Sequence, residues 1–101
     1  MVSPLVIKRR YLPVNIELVE DKPLNLELRP PQKKLVEELK VIDAESSFKE
    51  VLDVFLAVLN NNKSGYIVDP ERVNDETDIV LIRELLDHYM GWVKNMKFDP
   101  N

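Results

Sequence analysis

Residues 14–28 read VNIELVEDKPLNLEL: the run V-N-I-E-L returns as L-N-L-E-L after five intervening residues. Strict apolar/polar alternation marks a half-buried strand, because successive strand side chains point to opposite faces. Val14, Ile16 and Leu18 then share one face, Leu24, Leu26 and Leu28 share another, and Asn15, Glu17, Asn25 and Glu27 point the other way. Opposed residues of an antiparallel pair lie on one face, so the two runs fit one hairpin with Leu18 opposite Leu24, Ile16 opposite Leu26 and Val14 opposite Leu28. The connecting Val-Glu-Asp-Lys-Pro lacks the Asn-Gly or glycine of a tight turn and predicts a looser loop. Pro4 and Pro13 bracket Leu5 to Ile7, which could add a third strand. A ribbon this small is marginal by itself and has to pack on helices.

The rest of the chain supplies them. Pro30-Pro31 ends the second strand and opens a short helix, with Pro31 in its first turn and Leu35, Val36, Leu39 and Ile42 on one face. Ser47-Phe48-Lys49-Glu50 is a capping box, and Phe48, Val51, Leu52, Phe55, Leu56 and Leu59 follow at helical spacing. Val54, Ala57 and Val58 widen that stripe until little polar surface remains, which predicts a central helix covered on more than one side. Asn60 to Gly65 closes it with residue types that tolerate a left-handed backbone. Asp69-Pro70-Glu71 reads as a cap, a first-turn proline and a first-turn acid of a single turn through Val73. A last helix over about 78–95 carries Ile79, Ile82, Leu86, Tyr89, Val93 and Met96 on one face, broadened by Leu85 and Trp92. The expected architecture is α+β: a small antiparallel hairpin or three-stranded sheet at the N-terminus packed on three to four α-helices. At 101 residues it forms one domain over residues 1–101, β-rich over about 1–29 and helical over about 31–96.

Little in this sequence points to chemistry. There is no cysteine, so disulfides, thiolate nucleophiles and Cys-based zinc sites are excluded. The net charge of −4 repels phosphate backbones, so nucleic acid is not an expected partner, and Lys8-Arg9-Arg10 reads as solvated charge at a strand end. The one histidine, His88, has no nucleophile and orienting acid in a recognisable pattern around it. Acids at positions 69, 71, 75, 76 and 78 lack the glycine of a calcium loop and fit helix caps better, and two glycines are too few for a phosphate loop. No apolar run approaches the roughly 18 residues that cross a bilayer. The start MVSPLVIKRR places its basic residues after the apolar ones, the reverse of a secretory signal. The expectation is a cytoplasmic, non-enzymatic protein with no catalytic residue, cofactor, metal or membrane.

What remains is surface for a protein partner. Tyr66, Tyr89, Met90, Trp92, Met96 and Phe98 concentrate aromatic and adaptable side chains after residue 65. Tyr89, Trp92 and Met96 extend the helix stripe toward the core, while Met90 and Phe98 fall off it. Tyr66, Met90, Trp92 and Phe98 are the candidate partner-binding residues.

The stretch FLAVLNNNKSG, a short acidic helix, then LLDHYMGWVKN and a terminal DPN resembles the small tail assembly chaperones of long-tailed bacteriophages and prophages, over residues 48–101. The resemblance implies a non-enzymatic protein that keeps the long helical tape measure protein soluble, helps tail tube subunits assemble around it and leaves the finished particle. In that family a frameshift near the end of the gene often makes a longer form, and Lys94-Asn95 can be encoded by a slippery A-rich heptamer. The alternatives are a head-to-tail connector or completion protein that forms a homo-oligomeric ring in the virion, and a small regulatory adaptor.

Overall fold

In a computed structural model of the chain, residues 4–5, 9–18 and 23–98 are described, residues 96–98 by their backbone alone. The order of elements is β1 (Leu12–Ile16), β2 (Leu24–Leu28), α1 (Lys33–Val41), α2 (Phe48–Asn60), α3 (Pro70–Glu76) and α4 (Ile79–Phe98). This is the α+β arrangement read from the alternation, with the sheet held to two strands among the described residues. Residues 6 and 7 of the expected third strand lie outside the described ones, and Leu5 is exposed.

The strands pair antiparallel, but two residues away from the expected register. Leu12 lies opposite Leu28, Val14 opposite Leu26 and Ile16 opposite Leu24. A shift of two keeps every side chain on its face, because the strand period is two. It also brings a further apolar residue, Leu12, into the ladder, while Leu18 stays buried just beyond the strand end. Pro13 therefore sits inside β1 and does not punctuate it.

Two main-chain bonds show why a proline is tolerated there. The Lys63 N–H donates to the Glu27 carbonyl and the Arg29 N–H donates to the Asn61 carbonyl, each at 2.8 Å. The odd-numbered residues of β2 thus aim their backbone polar groups away from β1, toward the loop after α2, where Leu28 and Asn62 form an isolated bridge. The pairs Leu12–Leu28, Val14–Leu26 and Ile16–Leu24 are then the hydrogen-bonded ones, and Pro13 turns its donor-less nitrogen to the far edge of β1.

Helix α2 is the central element and touches α4, α1 and β2. Val51, Phe55, Val58 and Leu59 are fully buried, and Val54 nearly so. Leu52 and Leu56 are half-buried and Phe48 is 42 % exposed, so the stripe is narrower than the sequence suggests. The Ser47 hydroxyl caps the helix by accepting the Glu50 N–H at 3.2 Å and donating to the Glu50 carboxylate at 3.1 Å. Asp69 caps α3 through the Glu71 N–H at 3.0 Å, with Pro70 in its first turn. Asp78 precedes α4 and accepts the Leu81 N–H at 2.8 Å.

Helix boundaries differ from expectation at three places. Pro31 precedes the Gln32 cap and lies outside α1, whose first turn has no side-chain cap. α3 runs seven residues, beyond the single turn read from its start. α4 continues to Phe98, because nothing between Asn95 and Phe98 interrupts a helix and the first breaker, Pro100, comes later. No helix among the described residues is long and apolar enough to cross a membrane.

Candidate protein-binding surface

Between α1 and α4 lies a groove of about 350 Å³. Buried Leu39 and Leu86 and half-buried Ile42 and Met90 provide its apolar lining. Asp43, Asp87, Arg83 and Lys94 add charge of both signs. The periodicity of α4 explains the composition: positions 83, 86, 87, 90 and 94 fall at helical spacing on a stripe adjoining the core face, so Met90 leaves the main stripe without becoming free of the core. Thioether flexibility suits such a place, where side chains of different shape have to be accommodated.

The turn after α1 closes one end of the groove. Asp43 Oδ1 accepts the Glu45 N–H at 2.8 Å, and the Asp43 N–H donates to Ser46 Oγ at 3.0 Å. Arg83 reaches across from α4 to the Asp43 carbonyl at 3.3 Å. Two exposed apolar residues flank this end in sequence, Val41 at 73 % and Phe48 at 42 %.

The other candidates are spread differently. Trp92 is half-buried and packs beside Tyr89, ring centroids 5.8 Å apart and tilted by 45°. Tyr66 lies on the loop between α2 and α3, 45 % exposed beside the more exposed Ile67. The backbone of Phe98 ends α4, and its side chain, like that of Met96, lies outside the described residues. Of the three whose side chains are described, Tyr66, Met90 and Trp92, Met90 alone lines the α1–α4 groove.

Asn60, Asn61 and Asn62, expected from sequence to close α2 through a left-handed backbone, brace the loop after it through their side chains. None of the three adopts a positive φ; among the described residues Gly65 alone does, at +74°. Instead, Asn60 Oδ1 accepts the Val68 N–H at 2.8 Å, and Asn61 Nδ2 donates to the Arg29 and Pro30 carbonyls, both at 3.2 Å. Asn62, 3 % exposed, donates to the Leu59 and Tyr66 carbonyls at 2.8 Å and accepts the Tyr66 N–H at 2.9 Å and the Ser64 hydroxyl at 3.1 Å. Every hydrogen-bonding position of this buried amide is used, which fixes the loop that carries Tyr66. The run of three asparagines before a serine and a glycine was the available signal.

Tyr89 joins the same region from α4, its hydroxyl donating to the Arg29 carbonyl at 2.5 Å. Burial pushes that hydroxyl up to about 12, with the neighbouring Asn61 amide opposing the shift. Arg72 and Glu76 pair along α3 at 3.0 Å. No group of three His, Asp or Glu side chains among the described residues is placed to hold a metal ion. His88 is exposed, on a different groove, between β1 and α4. No family model matches the chain, and neither a curated protein nor a solved structure matches it.

Proposed function

We propose that the protein is a non-enzymatic tail assembly chaperone of the phage or prophage type, which shields amphipathic helices of a long tape measure protein and assists assembly of the tail tube. One observation carries the reading: the Met90 groove, lined by Leu39, Ile42 and Leu86 and bordered by charges of both signs. A helix laid along it would bury apolar side chains at helical spacing against Met90 and Leu86 while its polar face stays in water. The mixed charges Asp43, Asp87, Arg83 and Lys94 allow opposite-sign pairing in either orientation of the helix. The resemblance of residues 48–101 to the chaperone family adds the identity of the client.

The test is co-expression with the long helical product of the adjacent tail gene, followed by sedimentation of the soluble fraction. The client is expected to be insoluble alone and soluble in complex with this chain. A closed ring of this chain with no complex overturns the proposal in favour of a connector.

A further inference from the structure

A second groove, of about 510 Å³, runs between β1 and α4. Its lining takes four consecutive residues of β1, Pro13 to Ile16, with Glu17 just past the strand end, and none of β2, so it follows the outer edge of the strand and not a face of the sheet. The other edge of the ribbon is occupied, because the loop after α2 bonds to Glu27 of β2 and to Arg29 just past its end. The two-stranded sheet thus has one edge open among the described residues, and that edge faces a space walled by Leu81 and Leu85 of α4.

The polar groups along this edge follow from the register. Pro13, Asn15 and Glu17 aim theirs outward, so the edge offers the carbonyls of Pro13 and Asn15 and the N–H groups of Asn15 and Glu17, with one donor missing at Pro13. Among the described residues, the ionisable side chains lining the groove are Glu17, Glu84 and His88, with no lysine or arginine. Glu17 and Glu84 are exposed, and neither forms an ion pair among the described residues.

From this geometry we infer that the β1 edge is a docking site for an extended, basic segment of a partner protein, which adds a strand to β1. Its backbone pairs with Asn15 and Glu17, its apolar side chains turn onto Leu81 and Leu85, and its alternate lysines or arginines meet Glu17 and Glu84. Strand addition of this kind draws affinity from main-chain hydrogen bonds and specificity from alternate side chains. Charge selects against a second copy of this chain as occupant. An antiparallel β1–β1 pair centred on Asn15 would set the Glu17 carbonyl against the donor-less Pro13 and add another Glu17 to an acidic groove. The site is separate from the Met90 groove and does not depend on the chaperone reading.

The probe is a fluorescent capped peptide of about eight residues alternating valine and lysine, a usual strand length, titrated into the full chain by anisotropy. Its control alternates valine and glutamate. The lysine peptide is expected to bind, with affinity falling as salt rises, and to slow hydrogen exchange at the Asn15 and Glu17 amides. Asn15→Pro removes an outward N–H without touching the β1–β2 ladder and is expected to weaken binding about tenfold. Exchange in the unmodified chain keeps the test decisive even if that variant fails to fold. Unchanged exchange at Asn15 and Glu17, equal binding of the glutamate peptide, or dimerisation through β1 without peptide overturns the inference.

Discussion

Asn62 and Tyr89 show how much of the tertiary organisation rests on single polar groups. Asn62→Ala leaves the Leu59 and Tyr66 carbonyls without that donor and the Tyr66 N–H without its acceptor, an expected loss of about 2–3 kcal/mol. Urea unfolding of the variant checks it, and a change below about 0.5 kcal/mol would mean that water replaces the amide at no cost. Tyr89 has a pH signature. Its folded-state pKa is raised from 10.0 to about 12, so the folded chain holds that proton more tightly than the unfolded chain does. The associated stability is whole below the unfolded value and is lost as pH rises through the folded one, on the order of 2–3 kcal/mol in all. Tyr89→Phe is therefore expected to flatten the alkaline decline in unfolding free energy relative to the parent chain. Equal slopes in the two proteins would show that the hydroxyl is solvated.

The helices divide into parts with a local cause and parts without one. The caps of α2 and α3 are local: Ser47 and Asp69 bind amides two or three residues on, and their spacing is visible in the chain. Ser47→Ala is expected to cost about 1 kcal/mol, measured as a fall in Tm. The depth of each apolar position is not local. Phe55 is fully buried because α4, α1 and β2 all meet α2, while Leu52, on the same stripe, is half-buried. Phe55→Ala is expected to cost about 3–5 kcal/mol and Leu52→Ala about 1–2 kcal/mol. Equal costs would contradict this packing of α2. The hairpin shows the same division, since alternation sets the faces of β1 and β2 but leaves registers two residues apart equally good.

Across the molecule, exposed apolar residues such as Val41 stand apart from the core and are where the proposed partner contact is tested. Val41→Glu, at an exposed position, is expected to change stability by no more than about 0.5 kcal/mol. It tests binding cleanly beside Met90→Ala, whose side chain also packs on the core. In the co-expression assay both are expected to release the proposed helical client while thermal melts stay cooperative; full retention of that client by both would remove the Met90 groove from consideration. Of the residues singled out from sequence, Met90 lies in a groove because its position is slightly off the core stripe, which periodicity reveals. That the groove exists depends on how the end of α1 meets α4, about 50 residues away in the chain. Periodicity, capping residues and proline placement act over a few residues, so element types, the α+β class and the faces of each element were legible in the chain. Strand register, the asparagine braces, the burial of Leu52 and the open edge of β1 arise from contacts between residues distant in sequence, where several arrangements satisfy the same local pattern and only simultaneous packing selects one.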